Sequence, residues 1–222
     1  MYTGDMYTGN VVVGGPADVR DLGTIIISKI AVGPYDNNCY LLRDPATDAQ
    51  VLIDAAAEPG VLIDLAGSSG LAAIVTTHAH RDHWQALAEV AAATGAVTYA
   101  HPDDAEALPV PTEVLVRGGD MIIVGRLRLE VIHLVGHTPG SIALAFDDPE
   151  GPPHLFTGDS LFPGGVGNTD RDPERFAQLL TDVTVRIFDR FPDETWVYPG
   201  HGRDTTIGAE RASLAEWRDR GW

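Results

Sequence analysis

A chain of 222 residues with 44% hydrophobic and 21% charged side chains is long enough for one sizeable core and too apolar for a disordered tail. Fifteen Lys and Arg against 32 Asp and Glu leave a formal charge of −17, which repels nucleic-acid phosphates and anionic membranes where no basic patch intervenes. A single cysteine, Cys39, excludes an intrachain disulfide and a cysteine zinc knot, and no apolar run reaches the roughly 18 residues of a membrane span.

In chain order, residues 1–22 read as an N-terminal arm that opens with a short duplication, Met1-Tyr2-Thr3-Gly4 and Met6-Tyr7-Thr8-Gly9. The arm is a candidate subunit contact for a homo-oligomer, set against the plainer reading of a loose lead-in. Residues 23–222 form the expected single domain. Strands are expected over residues 25–30, 39–43 and 51–53, separated by Gly33-Pro34 and Asp44-Pro45, as an antiparallel meander. Cys39 falls on the second of these strands and reads as a buried core thiol. A short helix over 61–66 leads to a strand over 71–76. A helix over 82–93, ending at Gly95, and a strand over 97–100 complete a strand, helix, strand unit. Strands follow over 114–116, 121–124, 127–134, 142–146 and 154–156. Phe176, Leu179, Leu180 and Val183 mark a helix over 173–188, and a strand over 196–198 and a helix over 211–218 end the chain. No shift in composition marks a linker, so the fold class is α/β (α+β), two mixed sheets with helices outside. No basic start or apolar leader of signal-peptide type opens the sequence, and a cytoplasmic location is the expectation.

The chemistry concentrates after the fourth of these strands, where the chain reads His78-Ala79-His80-Arg81-Asp82-His83. Imidazole and carboxylate together suit zinc or iron, whereas magnesium and calcium sites are built from oxygen. A turn at the strand end can aim His78 and His80 at one point while Asp82 and His83 open the next helix. Three further candidates share one context, a strand end beside glycine: His137 in Gly-His-Thr-Pro-Gly, Asp159 in Thr-Gly-Asp-Ser and His201 in Pro-Gly-His-Gly. The remaining histidines read otherwise: His101 as a cap or solvent residue, His133 as a structural neighbour of His137, and His154 as a surface strand start. The Gly164 to Gly167 loop lacks the Lys-Ser/Thr of a P-loop and reads as an edge of the site. Tyr198 and Trp196 read as core. No Gly-x-Ser-x-Gly elbow supports a serine hydrolase.

The ordered set His78, His80, Asp82, His83, His137, Asp159 and His201 resembles the metallo-β-lactamase fold and, within it, the glyoxalase II branch of thioester hydrolases. The resemblance spans roughly residues 24–210 and implies a four-layer αββα sandwich with metals at one edge. It further implies that His78, His80 and His137 hold one ion, that Asp82, His83 and His201 hold a second, and that Asp159 bridges both. True metallo-β-lactamases lack a bridging aspartate at that place and flavodiiron proteins carry glutamate where His80 stands, so neither matches. RNA-processing nucleases of the fold are disfavoured by the charge. Two departures bear on substrate: 21 residues follow His201, where glyoxalase II adds a helical domain, and Asn168 stands where a basic residue is usual in the loop after the bridging aspartate.

The implied function is a metal-dependent hydrolase acting on a small-molecule thioester, with two divalent ions, zinc favoured over iron or manganese. Asp82 and Asp159 are the expected catalytic carboxylates. A mononuclear iron persulfide dioxygenase is the alternative on the same ligands, followed by a lactonase or a non-catalytic metal-binding protein.

Overall fold

The structure is a computed structural model that describes residues 7–221. Seven strands form the first sheet in chain order: β1 (Asp18–Asp21), β2 (Ile26–Val32), β3 (Asn37–Arg43), β4 (Gln50–Ile53), β5 (Ala73–Val75), β6 (Val97–Ala100) and β7 (Val114–Leu115). Pairing is antiparallel from β1 to β4 and parallel from β4 to β7. The switch falls where tight turns give way to helical crossovers, because parallel neighbours need a long connection. Those crossovers are α1 (Pro59–Ala66), between β4 and β5, and α2 (Leu87–Thr94), between β5 and β6.

The second sheet is built from β8 (Met121–Val124), β9 (Leu127–His133), β10 (Ile142–Phe146) and β11 (His154–Gly158), extended on the β11 side by two strands from the C-terminal part. A small hairpin, β12 (Leu161–Phe162) and β13 (Gly165–Val166), and the helix α4 (Pro173–Val183) precede these, β14 (Trp196–Pro199) and β15 (Thr205–Thr206). One turn of helix, α3 (Pro102–Ala105), follows β6, and α5 (Ile207–Arg211) and α6 (Leu214–Arg220) close the chain. β14 lies parallel to β11, so both strands deliver their C-terminal ends to one side.

Three apolar layers make this a sandwich. Ile25, Ile27, Tyr40, Leu42 and Ile53 of the first sheet meet Leu129, Val131, Leu144, Phe156 and Tyr198 of the second. Outside the first sheet, Leu41, Leu52 and Ile74 pack on Leu62, Leu87 and Val90 of α1 and α2. Outside the second, Ile132, Ala143, Leu155 and Val197 pack on Phe176, Leu179, Leu180 and Val183 of α4. β3, β4, β10 and β11 are therefore buried on both faces, and β10 is apolar throughout, whereas β8 alternates. Each fully buried Leu, Ile or Phe contributes about 1.5–3 kcal/mol.

The fold agrees with the expected four-layer αββα sandwich, and four local expectations need correction. Residues 18–21, read as part of the arm, pair with β2 as an edge strand, and the Tyr7 ring packs against the inter-sheet core. Residues 1–6, with half of the duplication, lie outside the described residues. The helix expected over 82–93 is a 3₁₀ turn at Arg81–His83 followed by α2, because the Trp84 indole donates to the Ala79 carbonyl and holds the chain in a tighter turn. The terminal helix is broken between α5 and α6, and His154 is wholly buried, bonded through Nδ1 to the Tyr198 hydroxyl at 2.9 Å. Among the described residues no helix is long and apolar enough to cross a membrane.

Candidate metal centre

The sheets are stitched together where β5, β9, β11 and β14 end. Thr77 O accepts from Ile142 N at 2.9 Å and Asn38 N donates to Gly200 O at 2.7 Å, while within the second sheet Gly200 N donates to Gly158 O at 2.8 Å. All seven candidate ligands fall on these junctions. They gather in three overlapping groups: His78, His80 and His137; His78, His83 and Asp159; and Asp82, His83 and His201, each with its donor atoms within 4.8 Å of one another. His78, His83 and His137 are buried, Asp82, Asp159 and His201 are half-buried, and His80 is exposed at the mouth.

Outer hydrogen bonds fix which ring nitrogen faces inward. His137 Nδ1 donates to Asn168 O at 2.7 Å and His201 Nδ1 to Tyr35 O at 2.9 Å. The Thr77 hydroxyl gives its proton to Asp54 Oδ2 at 2.8 Å, so at 3.0 Å from His78 Nδ1 it can only accept. His83 Nδ1 donates to the same Asp54 oxygen at 2.8 Å. With Nδ1 occupied in all four rings, Nε2 carries the inward lone pair. Those Nε2 atoms then face one another: His78 and His137 at 3.2 Å, and His83 and His201 at 3.2 Å. His80 instead presents Nδ1, at 2.8 Å from His137 Nε2. Lone pairs at such separations repel unless a proton or a cation lies between them. Asp159 stands between the groups, with Oδ1 3.4 Å from His83 Nε2 and Oδ2 3.6 Å from His137 and 3.5 Å from His201. Asp159 Oδ1 and Asn37 Oδ1 are buried with no hydrogen-bond partner. Donor type, convergence and these two orphaned oxygens all fit divalent cations.

The electrostatics point the same way. Burial holds His78 well below the usual imidazole range, with His83 adding to the effect, and burial also lowers His137. Burial opposes charge on His83 as well, but Asp54 and Asp159 outweigh it and raise that imidazole to about 10. His201 is raised by its bond to Asp159 despite burial. Asp159, although buried, is held well below the carboxylate range by His201 and His83. The carboxylates thus attract positive charge to this point, from protons on the rings or from a cation that displaces them.

Three residues at the centre escaped the sequence reading. Asp54 ends β4 in a left-handed backbone, φ 59°, and ties His83 to Thr77 N, the latter at 2.7 Å. Asp104, buried, accepts from Ala79 N, Thr138 Oγ1 and Gly140 N at 2.8, 2.6 and 2.8 Å, joining the loops of His80 and His137. Asn37 reaches Asp82 Oδ2 at 3.0 Å. Carboxylates and amides are frequent in any chain, and the signals available were an Asp after the apolar run of β4 and the Pro-Asp-Asp opening of α3. His101 takes the expected cap role, accepting from Asp103 N at 3.2 Å. Its ring stacks on His133 at 3.9 Å and 22°, with Asp103 close to both.

The glycine loop borders the centre as expected. A Cβ on Gly167 would fall 1.7 Å from Asp159 O and 3.2 Å from His137 Nδ1, so only glycine fits there. Beside it opens a cavity of about 400 Å³ whose lining includes Phe162, Val166, Asn168, Arg171 and Arg220, with no carboxylate. Arg171 and Arg220 put two guanidinium groups on this lining, Arg220 also lying 3.9 Å from Glu216 and donating to Gly164 O.

Residues 32–201 match the model of the metallo-beta-lactamase superfamily. A hydroxyacylglutathione hydrolase of Fuscovulum blasticum is 37% identical over 182 residues, covering 81% of this chain and 67% of its own. Among solved structures, a di-iron-bound form of TTHA1623 is 36% identical with a TM-score of 0.68, covering 82% of this chain and 96% of its own. ETHE1 from Myxococcus xanthus is 30% identical at a TM-score of 0.76, with 87% and 84% covered. The BLEG-1 B3 metallo-beta-lactamase is 27% identical at 0.76, with 84% and 96% covered. Fold, converging donors and these likenesses agree that the chain belongs to the metallo-beta-lactamase superfamily.

Proposed function

We propose that the protein is a hydrolase of small thioesters that uses two divalent ions, zinc by preference, held by His78, His80 and His137 and by Asp82, His83 and His201, with Asp159 shared. The observation that carries this reading is the pairing of two donor groups across one half-buried carboxylate, with the inward nitrogens set by outer hydrogen bonds. Ions bound there would lower the pKa of water from 15.7 towards about 7, supplying hydroxide at neutral pH and a positive field for a carbonyl oxygen. The chain's own residues do the rest. Asp159 and the inward ring nitrogens would hold the ions, and Asp82, which accepts from Asn37 Nδ2 and is half-buried, would orient the nucleophile. No further titratable acid lies among the donors. A thiolate leaving group, of ordinary thiol pKa near 8.5, needs none.

The fold places these residues at the mouth between the sheets, and the cavity with Arg171 and Arg220 suits a thiol carrier bearing a carboxylate. The likeness to a hydroxyacylglutathione hydrolase supports the same substrate class. The zinc-loaded protein is expected to hydrolyse S-lactoylglutathione without oxygen uptake, and Asp159→Ala to lose at least about 100-fold in turnover. Oxygen consumption with glutathione persulfide, in place of thioester hydrolysis, would instead select the mononuclear iron dioxygenase reading.

A further inference from the structure

Asn37 opens β3 with its side chain almost fully buried, and its backbone forms an isolated bridge to His201. The sheet therefore fixes where the amide lies. Its Nδ2 stands 3.0 Å from Asp82 Oδ2, 3.4 Å from His83 Nε2 and 3.3 Å from His201 Nε2. Those three donors are themselves 3.7, 3.4 and 3.2 Å apart. Donors that share one ion at bonds of about 2.0–2.1 Å lie roughly 3 to 3.5 Å from each other. The inner atom of the Asn37 amide lies at the same spacing from all three, a further corner in addition to the shared Asp159.

The identity of that atom follows from charge. Nitrogen and oxygen of a side-chain amide exchange places by a half-turn about χ2, and which faces inward depends on what it meets. As the amide stands, its NH₂ meets the inward Nε2 atoms of His83 and His201 while Oδ1 is buried without a partner. Facing a cation, NH₂ is repelled and a carbonyl oxygen is attracted. We propose that Asn37 Oδ1 is a further protein donor at the second metal position, beside Asp82, His83 and His201. The proposal rests on the two-ion reading above. It also separates the two positions chemically, since three imidazoles form one and a mixture of imidazole and oxygen forms the other. The oxygen-rich position should then take iron or manganese more readily than its neighbour.

The test is titration of the metal-free full-length protein with cobalt(II), following both heat and visible absorption, for the native chain, Asn37→Ala and Asn37→Asp. The native chain should bind two ions. Asn37→Ala should keep the first affinity, weaken the second about tenfold or more, and change the absorption band of the second ion because a donor is lost. Asn37→Asp, which keeps an oxygen at that corner, should restore both. Unchanged second-ion binding in Asn37→Ala would overturn the proposal. So would weaker binding with an unchanged band, which would leave Asn37 only orienting Asp82, or a failure of Asn37→Asp to restore either property. A native chain that binds one ion would defeat the two-ion reading itself, a result distinct from native two-ion binding left intact in Asn37→Ala.

Discussion

Asp54 shows how much of this centre depends on side chains that touch no substrate. Its two oxygens hold Thr77 and the His83 ring, and through Thr77 they set the tautomer of His78. Asp54→Ala frees both rings, and a loss of about 10- to 100-fold in metal affinity is expected, measurable by competition with a chromophoric chelator. An affinity equal to that of the native chain would show that the rings are held by packing alone. His154 makes a different residue-scale prediction. Burial, aided by Arg20, lowers its pKa to about 4, against an unfolded value near 6.5. The unfolded chain therefore binds the proton that the folded chain refuses, and stability is lost as pH falls from about 6.5 to about 4, by up to about 3 kcal/mol. His154→Phe should flatten that part of the pH profile of the urea midpoint; an unaltered slope would place the acid sensitivity elsewhere. Arg171→Ala should raise KM for a thioester whose thiol carries a carboxylate and leave KM for a neutral N-acetylcysteamine thioester unchanged. An equal effect on both substrates would remove the cavity from substrate recognition.

At the scale of elements, what could be read from sequence was what a short run of residues decides. α4 was legible because Asp172 caps it, Pro173 opens it and Phe176, Leu179, Leu180 and Val183 recur on one face. β2 to β4 were legible from apolar runs between turns. The break between Arg81–His83 and α2 was not, because it depends on the Trp84 indole meeting a carbonyl five residues back. β1 was missed for the same kind of reason: Asp18–Asp21 is polar and becomes a strand only because β2 offers it an edge. Of the centre, His78, His80, Asp82 and His83 stood out because they crowd into six residues, and His137, Asp159 and His201 because each sits beside glycine at a strand end, whereas Asp54, Asn37 and Asp104 take their meaning from partners distant in sequence. The loop from Asp159 to Asn168 is the element most tightly bound to the chemistry. Gly167→Ala drives a methyl group into Asp159 O, and a cost of about 2 kcal/mol or more in stability is expected, with metal affinity falling in parallel. A variant with native thermal stability would mean that the loop moves aside freely.

Across the whole molecule, the sandwich closes around its open end with polar ties as well as apolar area. Lys29 points between the sheets, fully buried, and donates to Gly9 O, Gly202 O and Asp204 Oδ1, the last at 2.6 Å. It joins the first sheet to the segment before β1 and to the loop that carries His201. Burial pushes Lys29 down and Asp204 up, and their mutual attraction opposes both shifts. Removing one partner leaves a buried charge, so Asp204→Ala should cost about 3–5 kcal/mol in denaturant unfolding, while Lys29→Met with Asp204→Leu should recover much of it. A double variant no more stable than the single one would show that the carbonyl bonds of Lys29 matter more than its charge. Two mixed sheets with helices outside were legible from the order of strands and crossovers, and the four-layer αββα arrangement was what the resemblance to the metallo-β-lactamase fold implied. The contact of Lys29 with residues 173 and 175 positions away was not legible.

The claim on which the rest depends is that Asp159 lies between two metal positions. Metal analysis of the native chain and of Asp159→Ala, each purified without added metal or chelator, tests it most directly. Two ions per native chain, with the variant losing one or both, is the result expected. One ion per native chain, or two ions retained in Asp159→Ala, would contradict it.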